Sequence, residues 1–212
     1  MTAHLPAGAG TDEHTNSLIA AKFGSIMNEN VTRPFWAQGM LRLLHRLVGP
    51  HDEGVFRRIP LSSPGHLYVS PMPFGAYDRG NRILKIYQRN RIEHVIMLVT
   101  EEELEKKARR DLKKQYSANG IPFSQFPFRD FQAPSLQAIE RLVREARSRL
   151  TTQRIVVHCH AGVGRTAVAV SCIVMQQDGL DADEAIAHVK ESMMVRMTDE
   201  QVQLVRRFGA TG

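Results

Sequence analysis

An α/β domain with a central, mainly parallel sheet flanked by helices is the fold class this 212-residue sequence predicts, and three features of the chain predict it. Short apolar runs, HVIMLVT (94–100) and RIVVHC (154–159), read as strands buried on both faces. Stretches of helical period separate them, as a parallel sheet requires of its crossovers. A Gly-rich loop after the second run leads into AVAVSCIVMQQDG, which fits a buried helix ending at Gly179.

The elements follow in order. Residues 1–17 are small and polar and read as a flexible tail. An N-terminal helical extension is expected over 18–60, centred on TRPFWAQGMLRLLHRLV (32–48). There Thr32 can cap, Pro34 sits in the first turn, and Phe35, Met40, Leu43, Leu44, Leu47 and Val48 give an apolar stripe. The main domain is expected over 61–212. HLYVS (66–70) is a strand and NRILKIYQRN (81–90) a helix. Thr100 opens the next helix with Glu103 three residues on, a capping box. This helix is expected to run through EEELEKKARRDLKKQY to Asn119-Gly120, its charges forming only a solvated face. Phe123, Phe126 and Phe128 lie in an extended stretch, and SLQAIERLVREARSRL (135–150) is an amphipathic helix after Pro134.

The chain has 28 Lys+Arg against 22 Asp+Glu, a net charge of +6 that favours anionic partners or serves solubility alone. No apolar run reaches the length of a bilayer span, no basic-then-apolar leader opens the chain, and two cysteines make no disulfide framework. A reducing, cytoplasmic setting is the expectation.

In IVVHCHAGVGRTA (155–167), His158-Cys159-His160 raises two possibilities, a metal site or a nucleophile above an anion cradle. Zinc wants three or four converging ligands at set spacings, and the other histidines are scattered, so the metal reading fails on count. Cys159 instead ends a strand, and the loop through Gly162, Gly164 and Arg165 joins it to a helix N-terminus. Such a loop presents free backbone N–H groups and a positive dipole end to an anion, and the same field favours a thiolate. His158 is placed to orient the loop, and His160 to add partial positive charge beside a bound phosphate.

His158 to Thr166, read as His, Cys, five residues, Arg, Thr, resembles the signature of the cysteine-dependent protein tyrosine phosphatase superfamily. The Ala-Gly-x-Gly-Arg-Thr form is similar to the dual-specificity phosphatase-like branch, over roughly residues 66–208. Ala167 departs from the glycine common after that Arg-Thr pair. FPFRDFQAPS (126–135) resembles the branch's acid-bearing loop, which makes Asp130 the general acid ahead of Glu101, Glu102 and Asp178.

The resemblance implies a dual-specificity phosphatase-like fold and a two-step reaction. Cys159 attacks phosphorus while Asp130 protonates the leaving oxygen, and water then hydrolyses the phosphocysteine with Asp130 as base. The backbone of His160, Ala161, Gly162, Val163, Gly164 and Arg165, with the Arg165 guanidinium, would bind the phosphate, and Thr166 would hydrogen-bond the cysteine sulfur. No metal or other cofactor is called for. The implied partner is a phosphorylated protein carrying phosphotyrosine and phosphoserine or phosphothreonine, with no nucleic acid and no integral membrane segment.

A phosphoinositide or inositol phosphate substrate is the nearest alternative, weakened because the loop's only basic side chains are His160 and Arg165. A rhodanese-type sulfurtransferase and a non-catalytic phosphate-binding module are alternatives of another class. Gln201 reads as the partner of Thr198 in a second capping box more than as a site residue. Cys172 reads as packing on the buried helix.

Overall fold

The computed structural model describes residues 54–210, so the expected tail and the helix at 32–48 lie outside the described residues. Residues 54–60 are described, and Arg57–Ile59 is a strand, β1, paired antiparallel with β2 (His66–Ser70). The stretch assigned to a helical extension therefore ends in a sheet edge. Three residues carrying two arginines hold too little pattern to announce that, and the pairing decides it.

Next come α1 (Ile83–Arg89), β3 (His94–Met97), α2 (Glu101–Lys107), α3 (Leu112–Ala118) and β4 (Phe123–Gln125). Then follow α4 (Leu136–Arg149), β5 (Arg154–His158), α5 (Arg165–Asp178), α6 (Ala182–Ser192) and α7 (Asp199–Ala210). The sheet order is β1-β2-β5-β3-β4, parallel except for β1.

Side chains alternate across the central strand β5. Ile155 and Val157 enter the core with Ile139 and Leu142 of α4 and the buried α5, while Val156 enters the opposite core with Tyr87 of α1 and Tyr116 of α3. Helices on both faces explain the unbroken apolar runs.

One expected helix is two. Ala108 leaves the helical conformation at φ −91°, ψ 129°, and Asp111 caps α3 through the Lys114 N–H. Between them Arg109 turns away to donate to the carbonyls of Gly75 (2.9 Å) and Asp78 (2.8 Å). These bonds cross more than thirty residues, so local propensity could not show them.

The parallel strands bring their carboxyl ends together where such sheets bind ligands. There Leu98 N–H donates to His158 O (2.9 Å) and Met72 N–H to His160 O (3.1 Å), tying the turn after β5 to the chain beyond β3 and β2. No helix among the described residues is long and apolar enough to cross a membrane.

Candidate active site

The loop from β5 to α5 is a cup closed around Cys159, whose side chain is buried. Gly162 has φ +77°, and its N–H donates to Cys159 Sγ at 3.2 Å. A Cβ on Gly162 would fall 2.6 Å from Ser70 O and 2.8 Å from Pro71 N, so the loop passes against the end of β2 where only glycine fits. The N–H groups of His160, Ala161, Val163 and Gly164 make no bond to protein among the described residues, and α5 starts at Gly164 with no side-chain cap. These amides and the uncapped helix end are left without a protein partner, the arrangement an anion-binding concavity requires.

Gly162→Ala has a definite cost in this geometry. A left-handed alanine costs about 1–2 kcal/mol before the overlap with Ser70 is counted. The expected result is a lower Tm and a fall of about tenfold or more in aryl phosphate turnover, measured by calorimetry and initial rates. Wild-type values for both would show that the cup does not depend on this approach.

Arg165 is the first residue of α5, and its guanidinium is 1% exposed. Nη1 donates to Glu103 Oε2 (2.5 Å) and to Phe128 O (2.9 Å), and Nη2 donates to Glu103 Oε1 (3.0 Å). Nη2 also lies 3.1 Å from Asp130 Oδ1. Nε is buried with no partner among the described residues. A guanidinium is a planar fork, so with one edge gripping Glu103 the Nε/Nη2 edge remains for a second anion. In this structure Asp130 sits on that edge.

Glu103 is the residue the sequence reading missed. The capping box is present, with Glu103 N–H donating to Thr100 Oγ1 (3.2 Å) and Thr100 N–H to Glu103 Oε2 (3.3 Å). The same carboxylate clamps Arg165 and accepts from Lys107 Nζ (2.8 Å), and that Nζ lies 3.9 Å from Asp130 Oδ2. Burial works to raise the Glu103 carboxyl, but the bonds from Arg165 and Lys107 outweigh it and bring it down to about 2. The charge run is thus more than a solvated face. The only local signal was the cap position itself, which does not reveal what packs above it. Glu101 and Glu102 stay exposed, Glu102 pairing with Lys106 at 2.7 Å, and Asp178 accepts from Ser62 Oγ at 2.6 Å, away from the cup.

Asp130 stands in the loop before α4, followed by Phe131 at φ +61°. Thr198 Oγ1 donates to Phe131 O (3.4 Å) and Gln201 Nε2 to Gln132 O (3.1 Å). Gln201 also caps Thr198 N–H through Oε1 (3.1 Å), as its spacing predicts. It therefore caps α7 and tethers the Asp130 loop at once.

His158 orients the loop from behind, with Nδ1 3.2 Å from Cys159 O and Nε2 2.9 Å from the Tyr116 hydroxyl. Burial above all lowers its pKa to about 4. His160 is half-buried, and burial first, then Lys107, lowers its pKa below the ordinary 6.5. One expectation is corrected. Thr166 does not reach the sulfur; its Oγ1 is buried without a partner among the described residues, and the Sγ bond comes from the Gly162 backbone. Cys172 is fully buried on α5, and burial pushes its thiol up.

Comparison with known proteins agrees with this geometry. The family described as "Polymorphic toxin system, DSP-PTPase phosphatase" matches residues 74–179, half of the chain. Protein tyrosine phosphatase domain-containing protein 1 of Mus musculus is 35% identical over 98 residues, 46% of this chain and 13% of that protein. Protein phosphatase Slingshot homolog 3 of Mus musculus is 28% identical over 134 residues, 59% of this chain and 17% of its own length. The match thus spans less than a fifth of the length of either relative. Among solved structures, kinase associated phosphatase superposes with a TM-score of 0.67 at 16% identity, over 76% of this chain and 97% of that one. PTPMT1 in complex with PI(5)P gives 0.61 at 18% identity, over 74% and 95%. A fold shared with these phosphatases, a family match across α1 to α5 and the Cys159–Arg165 cup place the chain in the dual-specificity phosphatase-like branch of the cysteine-dependent protein tyrosine phosphatase superfamily.

Proposed function

We propose that the protein hydrolyses phosphate monoesters on protein side chains, phosphotyrosine and with it phosphoserine and phosphothreonine, through a phosphocysteine on Cys159. The observation that carries this reading is the Arg165 fork, held on one edge by Glu103 and offering Nε and Nη2 beside the cup that holds Cys159. A phosphate taking the place of the Asp130 carboxylate on Nη2 frees Asp130 to face the leaving oxygen. The Cys159 thiolate attacks phosphorus, the bond to the leaving oxygen breaks, and Asp130 gives that oxygen its proton. Asp130 then takes a proton from water as the water attacks the phosphocysteine, and phosphate leaves with the thiolate restored. The backbone N–H groups and Arg165 stabilise the equatorial oxygens in both steps. The reaction needs reduced Cys159 and no metal, which suits a cytoplasmic setting.

The PI(5)P complex of PTPMT1 supports a phosphoinositide as a second reading. A protein substrate is favoured because the loop itself carries only His160 and Arg165 as basic side chains, whereas a multiply charged headgroup calls for more. The test is a panel of phosphotyrosyl, phosphoseryl and phosphothreonyl peptides beside phosphoinositides, with chelator and reductant, for wild type and Cys159→Ser. Peptide turnover that Cys159→Ser abolishes, with substrate still bound, is the expected result. Turnover of phosphoinositides alone would move the assignment to lipid, and turnover surviving in Cys159→Ser would remove the phosphocysteine.

A further inference from the structure

Among the described residues three large apolar side chains are exposed, Tyr77 (51%), Phe131 (76%) and Met194 (60%), and all three lie on loops at the cup. The Tyr77 ring meets the His160 ring edge-on at 5.2 Å. Phe131 follows Asp130 directly. Met194 is two residues from Arg196, whose N–H donates to Val163 O at 2.9 Å. Tyr77 thus stands beside the loop, and the segments that carry Phe131 and Met194 reach Arg165 and Val163 through Asp130 and Arg196.

These loops are held in place. The buried Asp78 carboxylate accepts from Phe74 N–H (2.7 Å) and Arg82 N–H (2.8 Å), fixing the turn that carries Tyr77, and Arg109 ties it again through Gly75 O. Thr198 and Gln201 hold the Phe131 turn. Apolar side chains kept exposed on tied loops mark an interaction surface and cost little to order on binding. Each also has an exposed arginine two positions away: Arg79, Arg129 and Arg196. Arg79 and Arg196 form no ion pair among the described residues, whereas Arg149, Arg154 and Arg206 do, and Arg129 already acts on Glu102.

We propose that this rim docks a peptide with acidic residues on either side of the phosphorylated side chain, an inference that rests on the phosphoprotein reading above. The apolar side chains cover the phosphorylated residue and its neighbours, and Arg79 and Arg196 pair with the flanking carboxylates. An extended peptide suits the surface better than an anionic bilayer does. Exposed Glu101, Glu102 and Asp130 line the groove beside Arg129, and a flat anionic surface would press against them, while a single chain can pass between.

The experiment measures kcat and KM on a phosphotyrosyl peptide flanked by glutamates, on the same peptide flanked by lysines, and on para-nitrophenyl phosphate. It adds sedimentation with phosphatidylcholine vesicles containing phosphatidylserine and a phosphoinositide. Wild type, Arg79→Glu/Arg196→Glu and Tyr77→Ala are compared. Wild type is expected to prefer the acidic peptide about tenfold or more, through KM, with the preference shrinking as salt rises. The double variant is expected to lose that preference while para-nitrophenyl phosphate kinetics stay unchanged, and Tyr77→Ala to raise KM for both peptides.

No acidic preference in wild type, or its survival in the double variant, overturns the proposal. So does a parallel loss on para-nitrophenyl phosphate, which would place the effect in the cup. Vesicle binding that the double variant loses, with peptide kinetics unchanged, reassigns the rim to a membrane surface and likewise overturns it. Failure of the phosphoprotein reading looks different: wild type then cleaves para-nitrophenyl phosphate but neither peptide, and the docking proposal falls with it.

Discussion

Asp130→Asn is expected to lower kcat on phosphotyrosine by about 10²–10⁴, the range that a positioned general acid supplies. The fall is expected to be smaller on para-nitrophenyl phosphate, whose leaving group departs with less need of a proton. The geometry adds a second signature. Asp130 Oδ1 lies 3.1 Å from Arg165 Nη2, on the edge of the fork that a phosphate would take. Asparagine carries no charge to compete there, so inorganic phosphate and vanadate are expected to inhibit the variant more tightly than wild type. Initial rates on the two substrates and inhibition constants for the two anions check both claims. A kcat on phosphotyrosine within twofold of wild type would remove Asp130 from the acid role. Unchanged inhibition would show that the Asp130–Arg165 pair does not compete with phosphate.

Glu103→Ala is expected to damage stability and turnover together. It leaves a buried guanidinium without its bidentate partner, and breaking a buried pair from one side costs about 3–5 kcal/mol. Arg165 is then free to leave the edge-on pose, so kcat/KM is expected to fall even at temperatures where the protein remains folded. Glu103→Gln keeps one acceptor and the shape, and is expected to restore much of the Tm but less of the activity. Denaturation midpoints and kcat/KM for both variants decide this, and activity intact in folded Glu103→Ala would show that Arg165 holds its pose without the carboxylate.

The same carboxylate predicts a pH dependence. Its pKa in the folded protein, about 2, is depressed from the ordinary 4.5. The stability it contributes is therefore fully present above about 4.5 and is lost as pH falls toward 2. Glu103→Gln is expected to flatten the stability curve in that window. His158 and His94, whose pKa values burial lowers from 6.5 to about 4, act higher, destabilising the fold as pH falls from 6.5 through 4. The variant should leave that upper window unchanged.

Strand and helix periods, caps and the Cys159–Thr166 spacing were legible because each is local. A buried strand shows in the run 154–159, a capping box shows in Thr100 and Glu103, and the left-handed stop of α5 shows in Gly179 at φ +68°. From these the sequence by itself determined the α/β class, the cup, and the candidate pair Cys159 and Arg165.

Tertiary structure alone decided what meets what across the chain. It brought Glu103 sixty-two residues back onto Arg165, broke the charged helix through Arg109, and added β1 to the sheet. It also lowered the pKa of His160 by burying it, and gave the bond to the Cys159 sulfur to the Gly162 N–H in place of Thr166. A carboxylate at a helix start has the same local sequence whether it faces water or a buried guanidinium. Only the packing of α2 over the mouth of the parallel sheet separates the two, because burial and long-range hydrogen bonds are properties of neighbours that sequence spacing does not specify.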